Sequence, residues 1–289
     1  MKKLILLLVA LLLVGCAAPA ETADIAATTL PVYEFTSRLC QGTDLTVTRL
    51  VTESVSCLHD YALNVRQVRA AEAATTIVIS GVGLEEFMED LIHDRDVVNA
   101  SAGIPLLETE THHHEEESHE DHHHEEDPHI WLDPHNAAMM AETICGSLSQ
   151  RYPQHADLFR DNLTSLLVDI QAVDDYASDR LADLSCRDLI TFHDGFGYMA
   201  RRYDLHILEA VEEESGSEAS AQELKHLISI VRAHDLPAVF TESNGSDSAA
   251  CIIAAETDVP IFTLDMAMAG DSWFDAMYHN IDTLKEALG

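Results

Sequence analysis

From Gln154 to Leu184 the chain has no glycine and no proline. Apolar residues recur through that stretch at helical spacing: Leu158, Phe159, Leu163, Leu166, Leu167, Ile170, Val173, Tyr176 and Leu181. With Pro153 opening it, the pattern predicts one helix over 153–184, about 45 Å long at 1.5 Å per residue. An ordinary globular helix runs only about 11–12 residues. A rod of this length in mid-chain leaves one region before it and one after it. The expectation is two lobes joined by a rigid connector.

Each side of the rod alternates short β-branched runs with helical patterns. Before it, strands are predicted over 26–30, 45–50 and 75–80 (Thr75-Thr76-Ile77-Val78-Ile79-Ser80), with helices over 32–39, 65–73 and 84–92. Pro134 follows Asp133 as a first-turn proline after an N-cap, opening a helix through 137–148. After the rod, strands are predicted over 188–192, 206–211, 237–241 and 261–264. Helices are predicted over 196–202, 221–234, 247–257 and 272–288. Strand–helix alternation means βαβ units and parallel sheets. The fold class is therefore α/β: two lobes, each a mostly parallel sheet flanked by helices, over 27–152 and 185–289.

The first residues, MKKLILLLVALLLVGC, are a basic start followed by an apolar run too short to span a bilayer comfortably. They read as an export signal over 1–15. Leu13-Val14-Gly15-Cys16 looks like a lipobox, which makes Cys16 the lipid-modified first residue of the processed chain and 16–26 a tether. A multi-chain lipid anchor holds durably where one chain would be marginal. The expected location is extracytoplasmic, anchored to a bacterial cell membrane.

The 289 residues carry a formal net charge of −35, and loss of Lys2 and Lys3 with the signal takes it to −37. Such a surface repels phosphate backbones, so nucleic acid is excluded as a partner, and it attracts cations. Apart from Cys16 the cysteines (Cys40, Cys57, Cys145, Cys186, Cys251) are scattered, with no CxxC pair, so a thiolate zinc site is not expected.

Histidine is the informative residue. Seven lie in THHHEEESHEDHHHEED: His112, His113, His114, His119, His122, His123 and His124. His119 to His123 formally satisfies HExxH, but every neighbour is polar. No apolar face exists to dock the helix that a metalloprotease needs. The run 112–127 reads as an accessory metal-collecting loop. Three other histidines sit in sharper settings: His59 in SCLHDY, His129 in DPHIWLDP, and His193 in TFHDGFGYMARRY just past a strand's carboxyl end. Asp265 also follows a strand. In open α/β sheets ligands bind outside the carboxyl ends of strands, so these four suit a tetrahedral zinc site between the lobes. Asp60, Asp133 and Asp194 lie close in sequence to candidate ligands and are the expected supporting carboxylates. His135, on the following helix, is expected to take no part.

LHDY, ISGVGLEEFMEDL, the His/acid run, DPHIWLDP, FHDGFGYMARRYDL, AVFTES and LDMAMAG together resemble the zinc/manganese solute-binding lipoproteins of metal ABC transporters, the high-affinity zinc-uptake branch (cluster A-I type) in particular. The resemblance covers essentially the whole chain. It implies two lobes bridged by a rigid helix, metal held between them by His59, His129, His193 and either Asp265 or water, and a membrane ABC permease as partner to a monomer. Histidine at position 193 points to Zn2+, where the manganese branch often has Glu; Mn2+ stays as the alternative cargo. Nitrogen-rich sites suit zinc and oxygen-rich sites manganese. The implied role is capture and delivery, with no bond chemistry. A secreted zinc hydrolase is the weaker reading, since neither a serine elbow nor a credible HExxH is present. Affinity is expected to fall below about pH 6.5, where imidazoles ordinarily protonate.

Overall fold

The computed structural model describes residues 23–53, 58, 61–108, 126–211, 219–243 and 245–289. The export signal, Cys16, His59, Asp60, Cys57 and the seven histidines of the collecting loop lie outside the described residues.

The first lobe alternates β1 (Ile25–Ala27), α1 (Leu30–Leu39), β2 (Val47–Arg49), α2 (Val65–Ala73), β3 (Thr76–Ile79), α3 (Glu89–Ile92) and β4 (Val98–Asn99). Its strands are all parallel, in the order β2-β1-β3-β4. β1 and β3 are buried along their whole length, which is why they read as unbroken apolar runs rather than alternating ones. Asn64 and Gln67 start α2 with a reciprocal capping box. The predicted helix over 84–92 is broken: Gly81, Val82 and Gly83 all take positive φ, and a 3-10 turn, Glu86–Met88, precedes the short α3. β4, two residues long, has no sequence pattern that distinguishes it from a loop.

Asp133 caps α4 (Pro134–Arg151) by accepting the His135 amide at 2.8 Å. Pro153–His155 forms a 3-10 turn, and the rod proper is α5, Ala156–Leu181, about 39 Å long. It lies on α1 and α4 of the first lobe. It also lies on α6 (Gly197–Tyr203) and α9 (Trp273–Leu288) of the second.

The second lobe repeats the design with β5 (Asp188–Thr191), β6 (His206–Ala210), α7 (Ala221–Ala233), β7 (Val239–Glu242), α8 (Ser248–Thr257) and β8 (Ile261–Leu264). Its parallel order, β6-β5-β7-β8, matches that of the first lobe. In each sheet the two central strands send their connections in opposite directions, β1 to β2 and β3 to β4, β5 to β6 and β7 to β8, so each has one switch point: β1/β3 and β5/β7.

The lobes are stitched together. Trp131 Nε1 donates to Met266 O at 2.7 Å, and Trp273 Nε1 donates to Trp131 O at 3.0 Å. Arg49 Nη1 donates to Gly270 O at 2.7 Å. Glu34 of α1 accepts from the Trp273 amide at 2.5 Å and from the Ser272 hydroxyl at 3.2 Å, at the start of α9. Both tryptophans are fully buried. The core therefore runs continuously from one lobe through the rod into the other. Among the described residues Cys40, Cys145, Cys186 and Cys251 are free thiols.

Candidate metal centre

His193 lies two residues beyond β5, at the second lobe's switch point. His129 precedes a 3-10 turn, Ile130–Leu132, whose side chains are all buried in the first lobe. The turn cannot move without opening the core, so His129 is carried on a fixed base. Its ring is 6 % exposed and meets His193 edge to face, centroids 5.1 Å apart. The two Nε2 atoms face each other at 3.3 Å.

A carboxylate stands behind each ring, one hydrogen-bonded and one at ion-pair distance. Asp127 Oδ1 accepts the His129 backbone amide at 2.9 Å and the ring Nδ1–H at 2.8 Å. A carboxylate only accepts, so the proton sits on Nδ1 and the His129 Nε2 lone pair points at His193. Glu242, the last residue of β7, places Oε1 3.7 Å from His193 Nδ1, on the far side of that ring. At 3.3 Å the contact is a ring-to-ring hydrogen bond, with the His129 Nε2 lone pair as acceptor. Two nitrogens bound to one tetrahedral zinc at about 2.0–2.1 Å are themselves about 3.3–3.4 Å apart, which is the spacing observed.

Gly195 makes the approach possible. A Cβ there would lie 2.4 Å from Met266 Cε, 2.8 Å from His193 Cδ2 and 3.1 Å from His129 Cε1. The Asp265–Met266 segment thus passes the histidine pair. Asp265 itself is half-buried. Its amide donates to Asn280 Oδ1 and its carbonyl accepts from Asn280 Nδ2, both at 2.7 Å. Its Oδ1 accepts the Ala267 amide at 2.7 Å. The structure brings His129 and His193 together. Among the described residues no group of three His, Cys, Asp or Glu side chains is drawn tightly enough to hold a metal ion.

Both flanks of the His59 segment are tied down. The Tyr61 hydroxyl donates to Glu53 Oε2 at 2.6 Å, Gln67 Nε2 donates to the Tyr61 oxygen at 2.6 Å and to Leu50 O at 2.8 Å, and Leu58 is buried. His135 is exposed on α4. Asp133 serves as a helix cap and faces Arg202 at 3.8 Å instead of supporting a histidine ring.

Of the carboxylates expected from the sequence, Asp133 is a helix cap; Asp127 and Glu242, which flank the two rings, were not among them. Asp127 was within reach: in Asp127-Pro128-His129 the carboxylate sits two residues before the ring, where it can bond the amide and the imidazole together. Glu242 carried no local signal. It is 49 positions from His193, and only the parallel pairing of β5 with β7 makes them neighbours.

Comparison with known proteins places this arrangement. A family model described as "ZnuA: Zinc-uptake complex component A periplasmic" matches residues 25–287. The chain is 30% identical over 310 residues to the zinc-binding lipoprotein AdcA of Streptococcus pneumoniae serotype 4; that match covers 99% of this chain and 61% of AdcA. The chain thus spans under two thirds of that relative's length. A crystal structure of ZnuA aligns with a TM-score of 0.78 at 28% identity, covering 92% of this chain and 100% of that one. A zinc-bound ZnuA deletion mutant aligns with a TM-score of 0.77 at 27% identity, covering 92% and 98%.

Proposed function

The chain belongs to the ZnuA family, and we propose that it captures Zn2+ between its lobes and delivers it to a membrane ABC permease. The carrying observation is the 3.3 Å separation of His129 Nε2 and His193 Nε2, with Asp127 bonded to the other nitrogen of His129 and Glu242 3.7 Å from that of His193. His59 supplies the third imidazole from a segment whose flanks are fixed, and Asp265 or water completes the tetrahedron. Zinc needs an unprotonated nitrogen from each imidazole, so binding competes with protons and weakens in acid. The zinc-bound relative of the same fold supports zinc as cargo.

The protein acts as a lipid-anchored extracytoplasmic carrier held by Cys16, and as a carrier it needs no general base beside the metal. Its acidic surface and the histidine run at 112–124 raise the local zinc concentration near the cleft. The stitched lobes leave little freedom for a wide hinge motion, so release depends on the permease disturbing the histidine pair.

Zinc affinity by chelator competition tests this reading. Binding at one equivalent is expected to survive removal of residues 112–127 and to be lost in His129→Ala. Loss on removal of 112–127, in a protein that is still folded, would put the tight site in the histidine run and overturn the proposal. A parallel Mn2+ titration is expected to show much weaker binding.

A further inference from the structure

His129 and the Asp127 that holds it belong to the first lobe, yet Asp127 is itself held in part from the second. Tyr198, on α6, is fully buried. Its hydroxyl accepts the Leu107 amide at 3.0 Å and donates to the Asp127 carbonyl at 3.1 Å. Asp127 and Leu107 are also joined directly, the Asp127 amide donating to Leu107 O at 2.9 Å. Burial pushes the Tyr198 pKa up to about 12, so its proton stays in place at any working pH. Gly197, the residue before it, approaches from the same helix: a Cβ there would stand 3.1 Å from Asp127 Oδ2 and 3.4 Å from Leu107 Cδ1. Asp127 is thus gripped at its carbonyl by Tyr198 and bounded at its carboxylate by Gly197. That carboxylate in turn holds the amide and the ring of His129.

α6 begins four residues after His193. One turn-and-helix unit therefore carries one histidine and fixes the other through Asp127. We propose that Tyr198 is a positioning residue for metal capture: from the second lobe it holds Asp127, and through Asp127 it sets the angle at which the His129 imidazole meets the ion. The inference rests on the metal centre proposed above and adds a residue that does not touch the metal. The physical reason is that imidazole ligands depend on the partner of their second nitrogen, whose loss costs about 10–100-fold in metal affinity. A carboxylate can serve as that partner only if its own backbone is fixed.

The test uses the whole protein and four variants: Tyr198→Phe, Gly197→Ala, Asp127→Asn and the Tyr198→Phe/Asp127→Asn double variant, with His129→Ala as reference. Three quantities are read: the zinc dissociation rate, the d–d absorption of Co2+ at one equivalent, and the melting temperature of the metal-free protein. Tyr198→Phe is expected to speed zinc release about tenfold and shift the cobalt band. Gly197→Ala should shift the band in its own right by crowding Asp127. In the double variant Tyr198→Phe should add less than about twofold to Asp127→Asn, since both act through one contact.

A Tyr198→Phe protein with a lowered melting temperature but unchanged zinc release and cobalt band would reduce Tyr198 to a tie between lobes and overturn the inference. Full additivity in the double variant would do the same. If His129→Ala itself kept wild-type affinity and cobalt spectrum, the metal centre would lie elsewhere, and the positioning role would fall with it for that separate reason.

Discussion

The two sheets share one strand order, 2-1-3-4, and put their switch points to opposite uses. In the first lobe the β1/β3 switch point is closed. Glu85, 3 % exposed, accepts the Thr28 hydroxyl and the Ser80 amide at 2.7 Å and the Gly81 amide at 2.9 Å, and Thr29 and Ser80 share a hydroxyl bond at 3.0 Å. In the second lobe the β5/β7 switch point carries His193 and Glu242, and the His193 ring faces outward to the ring of His129. A glutamate is present at both. Where backbone and hydroxyl donors surround it, it welds loops together. Where its neighbour is an imidazole, it lies at ion-pair distance behind the ring. Strand order locates a crevice, but the donors around the carboxylate decide whether the crevice is filled or left for an ion.

The largest expected contrast is in metal affinity. His193→Ala should lower zinc affinity on the order of 10³-fold, one ligand's share of a binding free energy of about 10–16 kcal/mol. Glu85→Gln should change it less than about threefold, by the same chelator competition. Equal losses would mean that both switch points face the metal.

Stability should show the reverse contrast. Glu85→Ala leaves two buried amides and a hydroxyl without an acceptor and should cost about 3 kcal/mol in urea unfolding of the metal-free protein. A cost below about 1 kcal/mol would show that water replaces the carboxylate and that the first crevice is not closed. Glu242→Gln comes next: a loss of about tenfold or more in zinc affinity, with metal-free stability changed less than by Glu85→Ala.

The smallest effect is a pH slope. Burial raises the Glu85 pKa, and its three hydrogen bonds only partly pull it back. A carboxyl with a raised folded pKa adds stability that is complete below the unfolded value, about 4.3, and lost as pH rises through the folded one. The stability of wild type relative to Glu85→Gln should therefore decline as pH rises above about 4.3 in paired urea titrations. A rise over that range would mean that the hydrogen bonds outweigh burial and hold the pKa down.

Another contrast lies within the second sheet. At the amino ends of its strands, Asp188 faces His206 Nδ1 at 2.9 Å and His234 Nδ1 at 3.5 Å. These are also histidine–carboxylate contacts, yet both rings are largely exposed and share one carboxylate. At the His129–His193 pair each ring has its own carboxylate, and the two Nε2 atoms converge. A histidine beside an acid is common; convergence of two such units is what makes a site.

Much of this was legible in the residues themselves. The Gly/Pro-free stretch gave the rod, and the remaining patterns gave seven more of the nine described helices beside four strands in the second lobe and three in the first. Pattern failed where elements are shorter than their period, as in β4 and α3. His129 and His193 stood out because both lie in turns rich in Asp, Pro or Gly next to aromatic anchors. His59 and the histidine run at 112–124 lie outside the described residues, so their place rests on the sequence.

The sequence by itself determined what is local or periodic: the two α/β lobes, the connector, the acidic surface and the imidazole-bearing turns. These follow from side-chain spacing along one chain, which is readable without coordinates. Only the tertiary structure decided that the two Nε2 atoms stand 3.3 Å apart, that Glu242 lies 3.7 Å from His193 Nδ1, and that Tyr198 reaches across to Asp127. Those contacts join residues 49 to 71 positions apart. They depend on strand register and lobe packing, and a difference of an ångström there separates a metal site from two ordinary histidines.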